Sequence, residues 1–84
     1  MNNPGAVIRA PQLAAILGVE VSQLSQYPAF EALAHEADAE LFEDGLLSLA
    51  GRMESTGRED VAARAYGEIH GEKAALAQRR LAVL

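Results

Sequence analysis

The chain is predicted to be all-α, a small bundle of five or six helices forming a single domain over residues 1–84. Three observations predict this. Apolar residues make up 50% of the chain and aromatics only 5%, so alanine and leucine must supply the core. Ala, Leu, Glu and Arg are strong helix formers, and no β-branched run of the kind that builds strands is present. The apolar positions also recur at three- and four-residue spacing through most of the chain, which is the period of a helix with one buried face.

The elements follow in order. Residues 1–10 have Pro4 and Gly5 and no helical period, and are expected to form an extended arm. Pro11 suits a first helical turn, where its missing N–H costs nothing. Leu13, Ile16 and Leu17 then give one apolar face, and Gly18 stops the helix. A second short helix is expected over residues 20–27, with Val21 and Leu24 facing inward. Pro28 ends it, because the residue before a proline is driven out of the α region, and Pro28 opens the next helix. Phe30, Leu33, Ala34, Ala37 and Leu41 continue at helical spacing, opposite Glu31, Glu36, Asp38 and Glu40. Around Asp44 and Gly45 the stripe moves to Phe42, Leu46, Leu49 and Met53. That shift implies either a break near Gly45 or one long helix with two contact faces.

Residues 55–57 form a turn. Thr56 is placed to cap the following helix with Glu59 as its capping-box partner, and Ser55 is an alternative cap. The next helix starts near Arg58 and carries Val61, Ala62, Ala65, Tyr66 and Ile69 on one side. Gly67 and Gly71 each cost about 1 kcal/mol inside a helix. Either a neighbouring helix approaches closely there or the helix breaks at Gly71, and the break is the favoured reading, leaving a last helix over residues 72–82. Leu76, Leu81 and Leu84 lie there among Arg79 and Arg80, which suit a helix C-terminus.

Charge narrows the function classes. The net charge of −5 is uneven: residues 1–30 sum to zero, and residues 31–60 hold nine acids against two arginines. Residues 61–84 hold four bases against two acids. Arg9 is the single basic residue before Arg52. An acidic middle disfavours broad contact with nucleic acid, which needs clustered Lys and Arg. It fits charge-complementary packing between helices or subunits.

Chemistry-bearing sets are sparse. The chain has no cysteine, so disulfides and thiolate metal sites are excluded. Glu36, Glu40, Glu43 and Asp44 form an acidic stripe near His35, but the inward Glu-x-x-His spacing of helical metal sites does not occur. His35 and His70 read as surface residues, and Tyr27 and Tyr66 as core-edge residues whose hydroxyls reach a polar partner. No nucleophile-base set or phosphate loop is visible. The expectation is therefore no catalysis, no metal, no cofactor and no small-molecule substrate. No apolar run approaches the roughly 20 residues of a membrane span, and no signal peptide is apparent. A cytoplasmic location without membrane contact is expected.

Two segments resemble known families. Residues 13–25, LAAILGVEVSQLS, resemble the helix-turn-helix of many bacterial regulators, in which Leu-Ala-x-x-Leu-Gly-Val precedes the recognition helix. The resemblance implies that Ala14 permits a close helix crossing, that Gly18 takes the positive φ of the turn, and that Leu17, Val19 and Leu24 share a core. It also implies a small DNA-binding regulator. Its base- and phosphate-reading groups would be Arg9, Ser22, Gln23, Ser25 and Gln26, with residues 11–27 as the corner. Glu20 stands where such regulators usually have Ser or Thr.

From Leu46 onward the spacing is similar to a single tetratricopeptide repeat. Leu46, Leu49, Ala50 and Met53 match its first helix, Gly57 its turn, and Ala62, Tyr66 and Ile69 its second helix. Ala74 replaces the closing proline. The resemblance implies an αα-hairpin within a helical bundle over residues 28–84, and no second copy is found.

The leading expectation is a helical interaction or assembly module, a homo-oligomer or a subunit of a larger complex. Its contacts would be made by Phe30, Leu33, Leu41, Phe42, Leu46, Leu49 and Met53, with Gly67 and Gly71 as a close-approach stripe. A second alternative, beside the regulator, is an acidic inhibitor or nucleic-acid mimic that meets a basic partner through Glu36, Glu40 and Glu43.

Overall fold

Six helical segments, five of them α-helices, account for the described part of this computed structural model, residues 9–84. Residues 1–8 of the expected arm lie outside the described residues. Ala10, by contrast, already belongs to helix α1 (Ala10–Leu17), one residue ahead of the expected start at Pro11.

Helix α1 ends as its sequence dictates. Gly18 adopts φ 78°, and its N–H donates to the carbonyls of Ala14 (2.8 Å) and Ala15 (3.2 Å). The left-handed conformation costs a glycine almost nothing. Leu13, Ala14, Ile16 and Leu17 face the core.

The next segment departs from expectation. Residues Val21–Gln26 form a 3-10 helix, not an α-helix. Tyr27 must leave helical geometry because Pro28 follows, and it sits at φ −124°, ψ 80°. Six residues containing Val21, Ser22 and Ser25, all modest helix formers, give little reason to settle into α geometry between two fixed ends. Only Leu24 is buried; Val21, expected inward, is exposed.

Helix α2 (Pro28–Ala34) is shorter than the periodicity suggested. The break falls at residues 35–38, not at Gly45. Asp38 caps the following helix, its carboxylate accepting from the Leu41 N–H at 2.9 Å, and a capping aspartate is a strong local start signal. Helix α3 (Ala39–Ser55) then runs unbroken through Gly45. A Cβ at Gly45 would lie 2.6 Å from Leu33 Cδ1, so this glycine marks the close approach of α2 to α3.

Helix α4 (Glu59–Gly67) pairs antiparallel with α3. Thr56 does not cap it. The Thr56 hydroxyl donates to the carbonyls of Arg52 (2.9 Å) and Met53 (3.1 Å), and the Ser55 hydroxyl also reaches Arg52 O. Both side chains thus satisfy the end of α3, whose last carbonyls otherwise lack partners. Gly57 (φ 86°) turns the chain, and Arg58 is the N-cap position of α4. Residues 68–73 separate α4 from helix α5 (Ala74–Ala82), so the break near Gly71 is present.

The core lies where α1, α3 and α4 meet. Leu13, Ile16, Phe42, Leu46 and Val61 are its large, wholly buried side chains. Ala62 and Ala65 are equally buried and let α4 sit close to its neighbours. Val61, Ala62, Ala65, Tyr66 and Ile69 all face inward, as their spacing predicts. Arg64 Nε donates to Ile16 O at 2.7 Å and so meets the negative end of α1. The described chain extends 44 × 25 × 15 Å.

Candidate interaction surface

The expected acidic stripe is divided: Glu36 lies in the connection before α3, while Glu40, Glu43 and Asp44 lie on α3, where Glu43 and Asp44 are engaged within the chain. Glu43 accepts from two main-chain donors, the N–H of His70 (3.0 Å) and that of Gly71 (2.7 Å). This fixes the α4–α5 connection against α3, and it explains Gly71: a Cβ there would lie 2.7 Å from Glu43 Oε1. Asp44 pairs with Lys73 at 3.2 Å. Near the other end of α3, Glu54 accepts from the Tyr66 hydroxyl at 2.8 Å and forms an ion pair with Arg80 of α5.

These three clasps, together with the packing of α5 on α4, hold the last helix in place. The hydrogen bond from Tyr66 and then the Arg80 guanidinium hold the Glu54 carboxyl below its ordinary value of 4.5. Asp60 is held below its ordinary value by Arg58 first, then by the Val61 N–H and Arg64. Burial, then the Glu54 carboxylate, push the Tyr66 hydroxyl up. Glu40 has the opposite shift, raised by its hydrogen bond to Glu72 and by repulsion from that carboxylate.

A pH prediction follows. A carboxyl whose folded pKa is depressed contributes stability above its unfolded pKa and loses it as pH falls through the folded value. Glu54 therefore loses its contribution as pH falls below about 4.5, and Asp60 as it falls below about 3.8. Glu40 works in the opposite sense, contributing when protonated and losing that contribution as pH rises. Glu40 and Asp60 are exposed and Glu54 is only partly buried, so solvent screens these groups and the effect is modest. Thermal melts should show the melting temperature falling below pH 4.5, and Glu54→Gln should flatten that fall. An unchanged acid limb in the variant would remove Glu54 from this role.

Helix α5 itself is unusual in what it hides. Ala77 is its one buried side chain, while Leu76 is 45% exposed, Leu81 and Leu84 are each 37% exposed, and Val83 is 68% exposed. The helix, with the two residues after it, thus presents large apolar side chains to solvent beside Arg79 and Arg80. Isolated exposed leucines are ordinary, but a cluster on one short element marks a contact surface.

The residues expected to make contacts are distributed differently. Phe30, Phe42, Leu46 and Leu49 are buried in the chain's own core, so their apolar surface is already used. Leu33 and Met53 pack partly against that core, and they line two adjoining shallow grooves between α2 and α3. Leu41 stands apart, 55% exposed on the first turn of α3. Gly67 is exposed with no atom near its missing Cβ, and Gly71 approaches a carboxylate, so neither receives a neighbouring helix.

Of the residues assigned to a DNA-reading corner, two are engaged within the fold. Arg9 lies over the Phe42 ring at 4.4 Å, with Nε donating to Glu36 O (2.7 Å) and Nη2 to Ala37 O (3.3 Å). Gln23 Oε1 accepts the Glu20 N–H at 2.9 Å and so starts the 3-10 helix. Ser22, Ser25 and Gln26 are exposed. Glu36 accepts from the Asp38 N–H at 3.2 Å, and Glu43 is the clasp described above. His35 and His70 are exposed, and no His, Asp or Glu group among the described residues is placed to hold a metal ion. No described helix is long and apolar enough to cross a membrane.

Taken together, the fold defines a small all-α protein, an N-terminal corner packed on an antiparallel layer of three helices with an apolar-basic outer edge. Comparison with protein families, characterised proteins and solved structures finds no match for this chain.

Proposed function

We propose that this protein is a helical interaction or assembly module, a homo-oligomer or a subunit of a larger complex, with α5 as its contact element. One observation carries the reading: α5 and the two residues after it expose four large apolar side chains, and α5 buries only Ala77. Apolar surface left in water is a free-energy reserve of about 25 cal/mol per Å² that a partner can recover. Arg79 and Arg80 beside it give such a contact orientation and selectivity.

The reading predicts a clean separation of folding from association. Leu76→Glu combined with Val83→Glu should leave helical content and melting temperature essentially unchanged, because both side chains are solvent-exposed. The same variant should lose association, whether with itself or within a complex, as read by sedimentation. A variant that unfolds, or one that associates as the parent does, would overturn the assignment of α5.

The DNA-reading corner is the second reading. It draws on the exposure of Ser22, Ser25 and Gln26, while Arg9 and Gln23 are occupied inside the fold.

A further inference from the structure

Helix α5 supplies one residue, Ala77, to the buried core, and Leu81 and Leu84 are only partly covered. The large, wholly buried side chains all come from α1, α3 and α4. Helix α5 packs on α4 and is tied to α3 by polar side chains, Lys73 to Asp44 at its start and Arg80 to Glu54 further along. The core is therefore complete without it, apart from one alanine.

The connection before α5 is held and pushed at once. Glu43 accepts both the His70 and the Gly71 N–H, at 3.0 and 2.7 Å, and Lys73 meets Asp44 at 3.2 Å. Between these two clasps sits Glu72, and it faces Glu40, which lies one turn before Glu43 and Asp44. In their charged forms Glu40 and Glu72 repel, whereas both clasps attract. Glu43 touches the main chain of the connection and no side chain of α5, so it acts on α5 only by fixing where the helix starts. Gly71 leaves the room this needs, since a Cβ there would lie 2.7 Å from Glu43 Oε1.

We propose that α5 is a latch that undocks from α4 as one unit, hinging at residues 70–73, while α1 to α4 stay folded. Opening gives up the burial of Ala77, the Arg80–Glu54 pair and the clasps of the connection. It leaves Leu13, Ile16, Phe42, Leu46 and Val61 packed, so it takes less free energy than global unfolding. It bares the α4 face on which α5 lies and the edge of Tyr66, whose hydroxyl keeps Glu54 as its acceptor. The attraction of Glu43 and the repulsion of Glu72 together set how often the latch opens. Fraying from the chain end is a different event, because it starts at Leu84 and is indifferent to Glu43. The latch goes beyond the assembly reading and does not rest on it, since it belongs to the single molecule.

Hydrogen exchange on the full chain at low micromolar concentration, read by mass spectrometry on overlapping peptides, tests the latch. In the parent, the α5 amides should exchange together, more slowly than an unfolded chain but faster than those of α1 and α3. Glu43→Ala keeps a good helix former in α3. It should lower protection across the whole of α5 about tenfold, from the loss of two charged hydrogen bonds, and leave α1 and α3 unchanged. Gly71→Ala should act in the same direction by displacing the carboxylate. Glu72→Gln should act in the opposite one, raising α5 protection about threefold. Ile16→Val, a small deletion in the core, should lower α1 and α3 protection about tenfold and leave α5 as it was. Protection that declines gradually towards Leu84 and ignores Glu43→Ala is end fraying and overturns the proposal. Loss of α1 and α3 protection in step with α5 overturns it as well, because opening is then global. An α5 without protection in the parent does the same, because the closed latch is then not the resting state.

Discussion

Phe42→Ala is expected to lower the free energy of unfolding by about 3–5 kcal/mol, the largest effect of any substitution considered. Phe42 is 2% exposed, close to the centre of the core that α3 shares with α1. Its removal leaves a cavity that helices on several sides cannot all close. It also removes the ring under the Arg9 guanidinium, worth about 0.5–1 kcal/mol at an exposed site. A domain of this length has a total stability of roughly 4–13 kcal/mol, so the variant should lose a large part of it. Urea titration followed by circular dichroism measures this directly. Leu41→Ala, one residue earlier but turned to solvent, is the matched comparison and should change stability by less than about 0.5 kcal/mol. Similar losses at the two positions would contradict the assigned orientation of α3.

Arg9→Ala is expected to cost about 2 kcal/mol, although the residue is only partly buried. Its guanidinium donates to the carbonyls of Glu36 and Ala37 and covers Phe42, so it joins the start of α1 to the α2–α3 connection. Charged hydrogen bonds contribute about 1.5–3 kcal/mol each when well formed, and partial exposure reduces that. Arg9→Lys should recover less than half of the loss, because an ammonium cannot serve both carbonyls while lying flat on the ring. The same variants discriminate between functions. A residue held for nucleic acid would, when replaced, weaken salt-dependent DNA retention at unchanged stability. The expected pattern is the reverse, a lower melting temperature with no change in retention.

Where the sequence carried strong local signals, it was legible. Gly18 and Pro28 act through backbone conformation alone, and both end segments where expected. The inward face of α4 was equally plain, because Val61, Ala62, Ala65 and Tyr66 hold helical spacing without interruption. The break at residues 35–38 was hidden because Leu33, Ala34, Ala37 and Leu41 keep the helical period across it. Its one local mark is the capping Asp38. Gly45 misled for a related reason: an interior glycine signals either a break or a close approach, and only the position of Leu33 decides. Thr56 had the right neighbours for a cap, yet its hydroxyl turned back to α3, where unsatisfied carbonyls were nearer.

The candidate surface was less legible than the fold. The longest apolar stripes, over residues 30–53, drew the expected contacts, but long stripes are what a core consumes first. Phe30, Phe42, Leu46 and Leu49 went there. The leucines of α5 were visible in the sequence, yet spacing cannot tell which side of a nine-residue helix its neighbours will cover. That outcome depends on three carboxylates of α3, which fix the connection before α5 and the guanidinium of Arg80.

The central claim is that the exposed face of α5 is a contact surface of an otherwise completed monomer. Sedimentation velocity on the full chain, from micromolar to millimolar concentration, tests it most directly. The account predicts a mass that rises with concentration above the 8.9 kDa monomer, and that returns to it in the Leu76→Glu, Val83→Glu variant. A mass fixed at 8.9 kDa throughout, with the variant losing its fold, would contradict it and place those side chains in the monomer's own core.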